Sequence, residues 1–157
     1  MANFIPQGFT SVTPFFVFKD CRKAIEFYKQ AFGAQEKFAM PGPDGKGVMH
    51  AELVIGNSIL MMGDEHPEMS CKSAETMGGS PISFYVYVEN VDQAFRRALE
   101  AGAKSQMAVE DMFWGDRTGT VQDLFGYNWT LATHIKDLSP QEMQQGAQEA
   151  FAKMAKK

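Results

Sequence analysis

ISFYVYVENVDQAFRRALEAG, residues 82–102, places a strand directly in front of a helix. Ile82–Val88 is a short run of β-branched and aromatic residues, the signature of a buried strand. Asn90 or Asp92 can cap the helix that follows. Ala94, Phe95, Ala98, Leu99 and Ala101 then recur at helical spacing on one face. Gly102 supplies a residue that tolerates the left-handed turn ending a helix.

The same grammar occurs upstream. Thr13–Phe18 reads as a strand, Asp20 as a cap, and Ala24, Ile25, Tyr28, Ala31 and Phe32 as one helix face ending at Gly33. Asp20 to Asn90, Ala24 to Ala94, Ile25 to Phe95 and Gly56 to Gly126 are each 70 residues apart, which points to a duplicated unit. Strands at 35–40, 47–55 and 58–62, joined through Pro43-Asp44-Gly45 and Gly56-Asn57, complete the first unit. Strands at 105–110, 117–122 and 127–134 complete the second. The expected fold class is α+β: two tandem βαβββ modules, about 10–63 and 81–136, forming a cupped mixed sheet. A polar, irregular segment, about 64–80, lies between them and reads as a linker or a mobile loop. Ser139-Pro140-Gln141-Glu142 combines a capping box with a proline at the first helical position. It opens a C-terminal helix, about 139–154, whose stripe of Met143, Ala147, Ala150, Phe151 and Met154 must cover the body or a second subunit.

Composition narrows the function. A chain of 157 residues with net charge −4 and no basic stripe argues against nucleic acid. The one dense basic group is Lys153, Lys156 and Lys157 on the tail helix. No apolar run is long enough to span a membrane. Cys21 and Cys71 are far apart and form no metal-knuckle spacing, and no signal peptide is visible, so a cytoplasmic location is expected. Thirteen Phe and eleven Met supply either an ordinary core or an adaptable apolar pocket.

Several side chains are candidates for chemistry. His50 and Glu52 share a strand face, so they can pair as an oriented base or simply face solvent. Asp116-Arg117 follows Trp114. Arg117 either grips a carboxylate or phosphate with its planar fork or pairs with an acid of the protein. His134 and His66 lack a second ligand at metal spacing, and Cys71 lacks an activating base. Cys21, in the first turn of a helix, is expected to pack there.

Val12-Thr13-Pro14-Phe15-Phe16 with Ala24-Ile25-Glu26-Phe27-Tyr28, then Val48-Met49-His50-Ala51-Glu52-Leu53, resembles the vicinal oxygen chelate superfamily. Gly115-Asp116-Arg117-Thr118-Gly119, Asp123-Leu124-Phe125-Gly126-Tyr127-Asn128-Trp129 and Leu131-Ala132-Thr133-His134 extend the likeness, which is nearest to its PhnB-like subgroup. That superfamily spans glyoxalase I, ring-cleaving dioxygenases, fosfomycin-modifying enzymes and bleomycin-resistance proteins. The resemblance implies a metal ligand near the start and the end of each module's sheet. Those positions fall on Thr13, Leu60 (Met61 with a slip of one), Ser83 and Thr130, none of which suits a divalent cation. No cofactor is therefore expected.

The leading expectation is a metal-free small-molecule-binding protein with a cup lined by Phe15, His50, Met62, Trp114, Arg117 and Trp129. The resemblance also implies a homodimer. One alternative is a lyase, isomerase or transferase working by acid–base chemistry if His50, Glu52, Asp116 and Arg117 converge, or through an unconventional metal site. Another is a structural or regulatory homodimer without a ligand.

Overall fold

Asp20 accepts a hydrogen bond from the Lys23 amide and Asn90 accepts one from the Gln93 amide. These two caps start the helices that organise the protein. In the computed structural model, which describes residues 3–155, the first module runs β1 (Phe15–Phe18), α1 (Cys21–Phe32), β2 (Gln35–Met40), β3 (His50–Ile55) and β4 (Ser58–Asp64). After a 3-10 turn (Pro67–Met69) and the short α2 (Ala74–Met77) comes the second module. It runs β5 (Ser83–Tyr87), α3 (Val91–Glu100), β6 (Lys104–Asp111), β7 (Asp116–Gln122) and β8 (Asn128–His134), followed by α4 (Pro140–Met154). The sheets have the orders β1-β4-β3-β2 and β5-β8-β7-β6, each with one parallel pair, β1 with β4 and β5 with β8. This is the α+β fold of two βαβββ modules and a C-terminal helix. Lys156 and Lys157 lie outside the described residues. No helix among those described is long and apolar enough to cross a membrane.

Strand alternation gives each sheet a helix side and an outer side. Phe16, Phe18, Leu53 and Met62 from the first sheet and Val121, Trp129 and Leu131 from the second are buried in one core with α1. Phe16 stacks on Trp129 at 5.5 Å and meets Phe84 at 4.4 Å. Asp123 ties the modules together. Its carboxylate accepts the Tyr28 hydroxyl at 2.6 Å, the Trp129 indole N–H at 2.9 Å, and the amides of Phe125 and Tyr127. Burial nevertheless pushes its pKa up against those hydrogen bonds. Tyr127 returns the contact by donating its hydroxyl to the Val17 carbonyl at 2.9 Å.

In the linker between the modules the Glu65 carboxylate gathers the Ser73 amide, the Ser73 hydroxyl and the Thr76 hydroxyl. Two expectations change. Thr13 precedes β1, because Pro14 has no amide to donate to a ladder and Thr13 bonds back to the Thr10 carbonyl. The 70-residue offset holds for β1 and β5 and for the two helices, but not beyond. Phe15 is paired with Met61 and Tyr85 with Thr130, so Thr130 corresponds to Met61, 69 residues away. The β3–β4 turn holds two residues between Ile55 and Ser58, whereas the β7–β8 turn holds five between Gln122 and Asn128. Gly56 and Gly126 are therefore not counterparts.

α4 begins with the expected capping box, Ser139 and Glu142 bonding reciprocally. Gly146 lets this helix approach Phe113 closely, while Phe151 and Met154 remain exposed.

Candidate functional site

Along β5, Phe84 and Val86 enter the core while Tyr85 and Tyr87 stand on the outer side. Tyr87 is 64% exposed, and the two phenol rings lie 5.3 Å apart with 54° between their planes. Both hydroxyls donate to Oδ2 of Asp116, at 2.8 and 3.0 Å. Trp114, in the loop before β7, extends this wall by donating its indole N–H to the Tyr85 oxygen at 3.3 Å. Asp116 pairs across the ladder with His134, whose Nδ1 meets Oδ1 at 2.7 Å. The other ring nitrogen meets Asp137 at 3.0 Å, so both nitrogens are satisfied as donors only when the imidazole is protonated.

The electrostatics follow from these contacts. Burial raises the Asp116 carboxyl, but hydrogen bonds from His134, Tyr85 and Tyr87 outweigh it and hold the pKa below its ordinary value. The His134 pKa is raised, first by its bond to Asp116 and then by Asp137. Tyr85 is pushed up to about 12, mainly by burial.

The outer side of the first sheet is more apolar. Phe15 stacks on His50 at 6.2 Å, and Phe38 lies 6.4 Å from the same imidazole. Glu52 sits between Lys37 at 3.4 Å and His50 at 3.6 Å. Between this module and β5 runs a cleft of about 340 Å³ lined by Ile55, Ile59, Leu60, Phe84, Tyr85, Tyr87 and Trp129. It continues past Ile55 and Tyr87 into a second hollow of about 550 Å³ bordered by Phe32, Glu89 and Leu131.

Not all of the expected cup residues meet. Phe15 and His50 share the outer side of the first sheet, and Trp114 belongs to the wall on the second. Met62, 0% exposed, is a core residue on the helix side, and so is Trp129, 1% exposed, which touches only the floor of the cleft. Each lies one position from an outward-facing neighbour, Met61 and Thr130, and a shift of one flips a strand residue to the other face. Arg117 is likewise directed to the helix side. It grips Asp92 of α3 through two nitrogens at 2.8 Å and Asp111 at 2.7 Å, so it anchors structure rather than a ligand. The four acid–base candidates therefore do not converge. His50 and Glu52 lie in one module, Asp116 on the outer side of the other, and Arg117 behind it. The wall of Tyr85 and Tyr87 was signalled by their alternation with Phe84 and Val86, which a uniformly buried run would not show.

The donor set at the positions of the implied metal ligands does not fit a divalent ion. Thr13 bonds a backbone carbonyl, Leu60 is buried, and Met61 offers a thioether. Ser83 offers a neutral hydroxyl, and Thr130 shares a 2.9 Å hydrogen bond with Thr120. Among the described residues no three His, Cys, Asp or Glu side chains come together as a metal site.

The model of the Glyoxalase/Bleomycin resistance protein/Dioxygenase superfamily matches residues 12–131. An uncharacterized protein of Mycobacterium tuberculosis is 40% identical over 137 residues, covering 85% of this chain and 80% of its own length. The crystal structure of TioX from Micromonospora superposes with a TM-score of 0.64 at 27% identity, over 80% of this chain and 99% of that one. The PhnB protein of Bacillus cereus superposes at 0.61 with 20% identity, over 79% of this chain and 99% of its own, a likeness of fold.

Proposed function

The chain belongs to the Glyoxalase/Bleomycin resistance protein/Dioxygenase superfamily, and from that premise we propose that it is a small-molecule-binding protein that works without a metal. The observation that carries this is the wall of Tyr85, Tyr87 and Trp114 beside a cleft of about 340 Å³ with an aromatic floor. Pockets for small organic molecules are about 300–1,000 Å³ and mostly apolar, with a few placed polar groups. Asp116 holds the two phenols and the imidazole in fixed positions, so the wall is preorganised and little order is lost on binding.

A homodimer is part of this proposal. Phe15 is 53% exposed on the outer side of the first sheet, and Tyr87 is uncovered on the second. A second copy laid against these faces would close them over a ligand. Cytoplasmic residence is also proposed, supported by the two free thiols, Cys21 and Cys71.

The test is a ligand-observed NMR screen of small aromatic compounds against the wild type and Tyr87→Ala, with light scattering for mass. Compounds bound by the wild type and released by Tyr87→Ala, at twice the chain mass, are expected. A screen without binders, or binders indifferent to Tyr87→Ala, overturns the binding site. A mass of one chain overturns the dimer.

A further inference from the structure

We infer, resting on the small-molecule reading above, that the ligand of this site carries a positive charge, a protonated or quaternary amine set against Tyr85, Tyr87 and Trp114. The protons of Tyr85 and Tyr87 are given to Asp116, and that of the Trp114 indole to the Tyr85 oxygen. Both His134 nitrogens are engaged by Asp116 and Asp137. Thr120 and Thr130 bond each other. A carboxylate or phosphate set against Tyr85, Tyr87 and Trp114 finds the donors of these three side chains and of His134 already committed. What the wall offers outward is ring faces and oxygen lone pairs, and those suit a cation.

The charges agree. Asp116 and Asp137 are opposed by one cation, His134. Glu110 is in register with Thr118, on the outer side beside Asp116, and enters no ion pair among the described residues. Glu89 borders the adjoining hollow together with Arg97, whose guanidinium bonds the Lys29 and Gln30 carbonyls. Of the basic groups nearby, Arg117 is behind the sheet with Asp92 and Asp111, and Lys136, whose amide bonds the Gly115 carbonyl, enters no ion pair among the described residues. Lys104 sits at the far end of β6, opposite Gln122. On the other module, Lys37 and Glu52 offset one another at 3.4 Å. Phenols that donate to a carboxylate are also richer in ring electron density, which strengthens their attraction for a cation.

The probe is benzyltrimethylammonium, compared with its uncharged isostere neopentylbenzene and with benzoate, titrated into the whole protein by tryptophan fluorescence and saturation-transfer NMR. The cation is expected to bind about tenfold more tightly than the isostere. Tyr87→Leu should erase that preference, and Glu110→Gln should reduce it. Both positions are exposed, and circular dichroism verifies that the variants fold. Equal binding of the isostere, or tighter binding of benzoate, overturns the assignment of charge while leaving a small-molecule site standing. A cation preference unchanged in both variants puts the amine elsewhere and overturns the assignment as well. Binding of none of the three overturns both.

Discussion

Replacing Tyr28 by Phe removes a single hydroxyl from the junction of the two modules. Tyr28 is fully buried, and its hydroxyl donates to Asp123 at 2.6 Å. A hydrogen bond to a charged acceptor contributes about 1.5–3 kcal/mol. Asp123 keeps its three other donors in the variant, so Tyr28→Phe should cost about 2 kcal/mol, near the lower end of that range. At about 2–4 °C per kcal/mol for a chain of this size, the melting midpoint should fall by about 4–8 °C. Urea unfolding measures the loss, and a double-mutant cycle assigns it. In an Asp123→Ala background the same substitution should cost close to nothing. Alkaline pH gives an independent check. The Tyr28 pKa lies well above 10.0, first because burial disfavours phenolate and then because Asp123 adds negative charge. A group whose folded pKa is raised contributes stability that is complete below its unfolded value and lost as pH rises beyond it. The wild type should therefore weaken above about pH 10 more steeply than Tyr28→Phe. A variant within about 0.5 kcal/mol of wild type, or an equal cost in both backgrounds, refutes Asp123 as the tie between the modules.

Other consequences can be measured separately. In Gly119→Ala the new methyl would meet Phe95 at 2.7 Å and Val109 at 2.8 Å, so a loss of about 1–3 kcal/mol in urea unfolding is expected; an unchanged midpoint would show that α3 yields freely there. His134 should titrate by NMR above its ordinary 6.5, with the tie to Asp116 present at lower pH and lost as pH rises through the folded value. Asp116→Asn should bring that midpoint down. In the native protein Cys71 should react with thiol reagents well before Cys21, which is buried and whose pKa is pushed up to about 12 by that burial and by Asp64; equal rates contradict the packing of α1.

The modular fold was readable because its signals are local. Asp20, Asn90 and Ser139 are caps whose partners lie three residues away, and the helix faces follow from spacing alone. The site was less readable because it depends on which side of a strand each residue takes. The correspondence between modules drops by one residue just after the helices, where β2 opens at Gln35 and β6 at Lys104, and this moves the implied ligand position from Leu60 to Met61. The same parity sends Met62, Trp129 and Arg117 to the helix side. His134 looked isolated in sequence, because its partner Asp116 is eighteen residues away and meets it only through the β7–β8 ladder. Asp123 was visible as the start of the Asp123–Trp129 turn that carries the family likeness, but not as the tie between modules, since Tyr28 lies 95 residues earlier.

Metal content tests most directly whether these sheets bind small molecules without a metal. The purified protein is equilibrated with excess zinc, nickel and manganese, dialysed, and assayed by elemental analysis. Thr13, Met61, Ser83 and Thr130 should leave it with far less than one ion per chain, with binding of aromatic compounds unchanged by a chelator. Retention near one ion per chain, lost together with ligand binding on chelation, would contradict a metal-free binding protein.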